Sequence, residues 1–372
     1  MTSRVHIVET SSQRQLLHEL LSATDHGTAG AVLDATWPAR LRRQARDELK
    51  TAADQDRVTD SDLVLFTSGS TARPRGVIRT VSSWQVSVAP LSEILRIGRD
   101  DAVWLPGPLW SSLFLYGAWH ARAVGAATIL RDEDPGSATT AHCVPAQLPT
   151  LLEAVQTRRT PRLRLIVVGG DRVPEGLRRR CEDQGVRLVE YYGAAELSFV
   201  AWRKDDGFLK AFPGAELDLR NGVVWVRSPY LARAYLATDD DGTWTSDAAG
   251  WATVGDLAVQ WADGLEVLGR GDGAITTGGH TIAVEEVERL LQAVSGVQDV
   301  GVVGLPHAAL GQVVVAVVVG DVGNSALRAA SHQLPPAARP RRWLHADTLP
   351  RTSGGKLRRP GLLQLATSLA AQ

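Results

Sequence analysis

Short apolar runs alternating with amphipathic stretches constrain this chain more than any other feature. Asp60–Thr67, Leu163–Val168, Val186–Tyr191, Val223–Val226 and Gly301–Val303 read as strands, and Arg40–Lys50 and Val173–Gln184 read as helices. Ser11 and Ser12 stand just ahead of Leu16, Leu17, Leu20 and Leu21, the pattern of an N-capped helix with one apolar face. Such alternation implies an α/β architecture with largely parallel sheet. From about Leu265 the texture changes. Glycines crowd positions 264, 269, 271, 273, 278 and 279, and a capped helix over Ala283–Val294 ends at Gly296. At 372 residues the chain exceeds what one ordinary core needs. A boundary near Asp272 divides a large N-terminal domain of mixed and parallel sheets with helices, 1–271, from a small α+β C-terminal domain, 272–372.

Composition matters mainly for what it excludes. Forty Lys and Arg against 41 Asp and Glu leave a net charge of -1, which removes any global argument for nucleic acid or an anionic membrane surface as partner. Cys143 and Cys181 are far apart in sequence, so neither a disulfide framework nor a zinc site is indicated, and a reduced, cytoplasmic setting is expected. The N-terminus carries no apolar h-region. The longest wholly apolar run, Val313–Val319, is too short to span a bilayer and suits a buried strand. The nine histidines show no ligand spacing, and the eleven tryptophans suit packing, one or two of them at the wall of a substrate pocket.

The window Phe66-Thr67-Ser68-Gly69-Ser70-Thr71-Ala72-Arg73-Pro74-Arg75-Gly76-Val77 carries the clearest chemistry. Directly after a strand it places four hydroxyls, two glycines and two guanidiniums between Thr67 and Gly76. Glycine lets backbone N–H groups close on an anion, hydroxyls add donors, and arginine adds a forked charge, as a polyphosphate cradle requires. The spacing is not that of a Walker loop. A polar surface turn would share the same composition.

Further windows follow in order: Tyr191-Tyr192-Gly193-Ala194-Ala195-Glu196, Gly250-Trp251-Ala252-Thr253-Val254-Gly255-Asp256, Gly269-Arg270-Gly271-Asp272-Gly273, Gly278-Gly279-His280-Thr281-Ile282, and Leu349-Pro350-Arg351-Thr352-Ser353-Gly354-Gly355-Lys356. In this order and spacing the set resembles the adenylate-forming superfamily: acyl- and aryl-CoA synthetases, peptide-synthetase adenylation domains and firefly luciferase. The resemblance implies ATP, Mg²⁺ and coenzyme A as cofactors and cosubstrate. It implies that Thr67, Ser68, Gly69, Ser70, Thr71 and Arg75 hold the β- and γ-phosphates. Tyr192 and Gly193 would line the adenine with Gly170, Glu196 would hold the metal, Asp256 would accept the ribose hydroxyls, and Arg270 would contact the ribose. Asp272 falls at the hinge of a mobile C-terminal domain, Lys356 would reach the α-phosphate, and Gly278 and Gly279 would form a strand beside the thiol tunnel. Around Trp110, Ser111 and Tyr116 the chain resembles the acid-binding segment of acyl- and aryl-CoA synthetases. That segment contains no carboxylate, so an apolar or aromatic carboxylic acid is the expected substrate, with Asp171 as a polar group beside the pocket.

Several positions depart from the family pattern. Ala72 replaces a glycine, Arg75 a lysine, Ala195 and Val254 threonines, and Thr276 sits where many relatives carry lysine. Only 67 residues precede Ser68, so a short member with a reduced N-terminal region is expected. The leading expectation is an AMP-forming acid–CoA ligase. The alternatives are an adenylating enzyme that loads a carrier-protein phosphopantetheine, and a nucleotide-binding homologue that has lost turnover. Acid, acceptor and oligomeric state stay open at this level.

Overall fold

The computed structural model describes residues 5–67, 74–170, 172–173, 175–204, 207–237, 244–270, 275–282, 284–350 and 359–371. Its contacts divide the chain into two compact units, one built chiefly from residues up to Gly269 and one chiefly from Arg270 onwards.

A seven-stranded sheet forms the centre of the first unit. Its order is Lys210–Ala211, Ser198–Lys204, Arg187–Ala194, Leu165–Val168, Thr140–Cys143, Ala102–Leu105, Ala127–Leu130. The last five of these are mutually parallel, and the first two join by antiparallel pairing. Chain order reverses beside Ala102–Leu105, so the carboxyl edge of this sheet is where an open α/β sheet places its ligand. Helices Ser112–Ala123, Leu148–Gln156 and Glu175–Asp183 are interleaved with these parallel strands along the chain. A second sheet runs His6–Val8, Gly30–Val32, Asp62–Thr67, Arg75–Thr80, Ala234–Tyr235, parallel in its first three strands and antiparallel after them. The third, over Glu216–Arg270, is built from hairpins, so the largely parallel pairing expected from the alternation holds only where helices intervene.

The expected helix after Ser12 forms as Gln13–Asp25, with the Ser12 hydroxyl accepting the Gln15 N–H at 3.3 Å. In the second unit Val313–Val319 lies within the strand Gly311–Gly320, inside a five-stranded sheet. Val314, Ala316 and Val318 pack with Leu291 and Leu327, while Val313, Val315 and Val317 pack with Leu362 and Ala366. Covering on both faces explains why the run shows no alternation. The helix expected to Val294 stops at Gln292, and Gly296, at φ +92°, turns the chain into the next strand. Among the described residues no helix is long and apolar enough to cross a membrane.

Helix Ser112–Ala123 lies close to the central sheet because Gly117 has no side chain. A Cβ there would come within 2.7 Å of Leu105 Cδ2 and 3.3 Å of His142 Cγ. The contact buries two imidazoles, His120, bonded to Ser92 Oγ at 2.9 Å, and His142, whose two ring nitrogens have no hydrogen-bond partner. Burial holds both neutral, pulling His120 down to about 4 and His142 to about 3. Both folded values lie below the usual histidine value of about 6.5, so their stabilising contribution is present above that pH and is lost as pH falls below it. Each should cost on the order of 2 kcal/mol of stability at pH 5. Urea unfolding at pH 7.5 and 5.0 checks this, and His142→Leu should remove about half of the acid sensitivity. An unchanged pH slope in that variant would contradict the assignment.

Candidate active site

Strands Asp62–Thr67 and Arg75–Thr80 pair antiparallel, with Thr67 opposite Arg75. Ser68, Gly69, Ser70 and Thr71 lie outside the described residues, but their two anchors do not. The Thr67 hydroxyl donates to the Arg75 carbonyl at 3.5 Å. Arg75 is buried, and its guanidinium sits 5.1 Å from the centre of the Tyr235 ring. Gly76 is obligatory for packing, because a Cβ there would fall 2.7 Å from Leu236 Cβ.

Tyr192, Gly193 and Glu196 occupy the end of strand Arg187–Ala194 and the tight turn into Ser198–Lys204. The turn needs Gly193: a Cβ would meet the Ser198 carbonyl oxygen at 1.9 Å, and Ser198 itself adopts φ +56°. At the same carboxyl edge Gly169 ends a parallel strand and lies against the Tyr191 ring, with a Cβ only 2.4 Å from Tyr191 Cζ. Gly170 then turns the chain at φ +88°. The Tyr192 hydroxyl donates to Asp256 Oδ2 at 2.6 Å, which joins two windows 64 positions apart. Asp256 opens strand Asp256–Trp261 directly after Gly255, at φ +81°.

Glu196 is buried, and the Tyr235 hydroxyl donates to its Oε1 at 2.9 Å. Close by, Arg79 is almost fully buried and donates from Nη1 to the Ala195 carbonyl at 2.8 Å, from Nη2 to the Tyr230 carbonyl, and from Nε to Ser83 Oγ at 3.1 Å. Burial lowers this guanidinium to about 10. The structure therefore brings Arg75, Glu196, Tyr192 and Asp256 into one region of the first unit. Tyr235 links Arg75 to Glu196, and Arg79 anchors the Ala195 carbonyl next to Glu196; neither was expected from the sequence. The available signal was a charged residue inside the apolar run Val77-Ile78-Arg79.

The acid-pocket candidates separate. Ser111 precedes helix Ser112–Ala123 without making a side-chain cap bond, and half-buried Trp110 carries the Arg131 guanidinium 5.5 Å from its ring centre. Tyr116 is buried between Trp84 and Phe199, and its hydroxyl bonds Ser87 Oγ at 2.7 Å, so its polar end is already engaged in the core. Asp171 lies outside the described residues. So do Asp272 and Lys356, as does the side chain of Arg270, whose backbone ends strand Gly264–Arg270. Gly278 and Gly279, expected as strand, are instead the two central residues of a hairpin turn, with Thr277 opposite His280 and φ of +54° and +83°. Both central residues at positive φ mark a type I′ turn, which glycine accepts without strain.

Comparison with known proteins is consistent with this geometry. The family model described as AMP-binding enzyme matches residues 2–236, and the AMP-binding enzyme C-terminal domain matches residues 286–356. An uncharacterized acyl–CoA ligase, YhfT of Bacillus subtilis, is 31% identical over 326 residues, spanning 79% of this chain and 66% of that protein. FadD10 of Mycobacterium tuberculosis (strain H37Rv), a medium/long-chain-fatty-acid–[acyl-carrier-protein] ligase, is 25% identical over 401 residues, spanning 92% of this chain and 74% of its own length. A double mutant of o-succinylbenzoate CoA synthetase from Bacillus subtilis superposes with a TM-score of 0.84 at 22% identity, covering 96% of this chain and 87% of that one. That likeness is one of fold: a large N-terminal and a small C-terminal domain. Since the first family model alone matches more than half of its residues, the chain belongs to the AMP-binding enzymes and so to the adenylate-forming superfamily.

Proposed function

We propose that this protein is an AMP-forming acid–CoA ligase acting on an apolar or aromatic carboxylic acid. The observation that supports the reading is the Tyr192–Asp256 hydrogen bond, which joins two of the family windows four positions before buried Glu196. A carboxylate oxygen of the acid attacks the α-phosphorus of ATP, the bond to pyrophosphate breaks, and an acyl-adenylate forms. A thiolate then attacks the acyl carbon and AMP leaves. Neutralising charge at the transferring phosphorus is the main catalytic task. The described residues contain no cluster of three or more candidate metal ligands. A lone carboxylate such as Glu196 suits Mg²⁺, which takes one or two protein carboxylates and completes its shell with water and substrate phosphates. Bound there, the cation would offset phosphate charge. The C-terminal domain would turn about Asp272 between the half-reactions, exchanging Lys356 for the Gly278-Gly279 turn.

One observation supports an apolar acid: helix Ser112–Ala123 contains no carboxylate. Similarity to an acyl–CoA ligase supports CoA as acceptor, and similarity to FadD10 gives a carrier-protein thiol a specific claim as the alternative. The test is pyrophosphate release across a panel of carboxylic acids, with CoA or a carrier protein supplied. Release should appear with apolar or aromatic acids and ATP, and CoA should raise turnover. Turnover with the carrier protein alone would favour the alternative acceptor. Absence of release with every acid would leave only a nucleotide-binding homologue.

A further inference from the structure

The strand Ala234–Tyr235 lies antiparallel on the phosphate hairpin, with Tyr235 opposite Val77. Its backbone is held from several directions. The Leu236 N–H donates to the Gly76 carbonyl at 2.7 Å, and the Ala232 N–H to the Glu196 carbonyl at 2.7 Å. Arg57 donates to the carbonyls of Tyr235 and Leu236 at 2.9 and 2.6 Å. Few freedoms remain to the Tyr235 ring, which is buried and meets Trp244 edge-on, with centroids 5.5 Å apart. What this fixed ring then touches is unusual for a packing residue. Its hydroxyl reaches one oxygen of Glu196, and the Arg75 guanidinium lies over its ring.

We propose that Tyr235 is a positioning residue for both charged groups, orienting the Glu196 carboxylate through Oε1 so that Oε2 is presented to the cation, and holding Arg75 by its ring. This rests on the reading that Glu196 binds the metal accompanying ATP. A carboxylate held at one oxygen loses rotational freedom before it meets the ion, and hydrogen bonds of this kind to metal ligands are worth about 10–100-fold in affinity. The ring acts separately: a cation over an aromatic face keeps its charge while losing its choice of direction.

Two variants separate the contributions. Tyr235→Phe keeps the ring and loses the hydroxyl. It should raise the Mg²⁺ concentration for half-maximal pyrophosphate release about tenfold, leaving the KM for ATP at saturating Mg²⁺ near wild type. Mn²⁺ binding, followed by electron paramagnetic resonance with a non-hydrolysable ATP analogue, should weaken by a similar factor. Tyr235→Leu should add a rise in the KM for ATP. If Tyr235→Phe lowers the melting temperature but moves neither the Mg²⁺ dependence nor the Mn²⁺ affinity, Tyr235 is a packing residue and the proposal is overturned. A wild type that takes up no Mn²⁺ with the analogue overturns it as well. A wild type that takes up Mn²⁺ but releases no pyrophosphate overturns only the ligase reading, since the variants' metal affinities still decide the role of Tyr235.

Discussion

Arg79→Met is expected to lower kcat/KM for adenylate formation by about 100-fold or more while costing at most a few kcal/mol of stability. The two effects differ because opposing terms meet at this residue. The guanidinium is held at about 10 instead of 12.5, chiefly by burial, so keeping it charged costs the fold on the order of 3 kcal/mol. Methionine relieves that cost. It also leaves the Ala195 and Tyr230 carbonyls without this donor, at about 1–3 kcal/mol each. The sums nearly offset, so unfolding in urea should change little. Function has no such compensation. Ala195 directly precedes Glu196, and Tyr230 leads into the segment carrying Tyr235. Without Arg79 both segments lose their common anchor, and a displacement near 1 Å at a reacting centre is enough for a loss of that size. Lysine should recover only part of the activity, because a point charge cannot bond two carbonyls and Ser83 as a planar fork does. Steady-state kinetics beside urea unfolding checks the pair of effects. An Arg79→Met protein with wild-type kcat/KM would show that the turn keeps its place without the anchor.

Arg79 also marks the limit of what the sequence alone reveals. Windows such as Tyr191–Glu196 and Gly250–Asp256 are legible because each packs its chemistry into a few adjacent residues. Gly193 and Gly76 are legible too, since close approach of backbone or side chains admits nothing larger. The connections among the windows are not local. Nothing next to Tyr235 in the chain indicates that its hydroxyl meets Glu196, 39 positions away, and Arg79 is one arginine among 36 until the fold sets it against two carbonyls. Tyr116 shows the converse. Its place beside Trp110 and Ser111 suggested a pocket wall, yet helical phase turns it into the core towards Ser87. Gly278 and Gly279 could satisfy either a bare strand or a I′ turn, and cross-strand register decided for the turn.

Replacing Lys356 with alanine should reduce adenylate formation by about a thousandfold and leave thioester formation from a supplied acyl-adenylate within a few-fold of wild type. Lys356 lies outside the described residues, so the expectation comes from chemistry and composition. Of the forty cationic residues only four are lysine, and the first strand position after the hairpin connection carries Arg75. A fork of charge suffices for the outer phosphates, which offer several oxygens at once. A compact ammonium on a flexible stem would bridge the attacking carboxylate and the α-phosphate, a placement a planar guanidinium would meet differently. Lys356→Arg should therefore remain impaired although its charge is unchanged. The AMP-binding enzyme C-terminal model extends to residue 356, so this lysine falls within the segment shared with the family. The half-reactions can be measured separately, as pyrophosphate release from acid and ATP and as thioester formation from synthetic adenylate and CoA. Equal losses in both would assign Lys356 to the stability of its domain. Loss in the first alone requires a group that acts on phosphorus and then withdraws, as expected of a residue carried by a domain that turns between the steps.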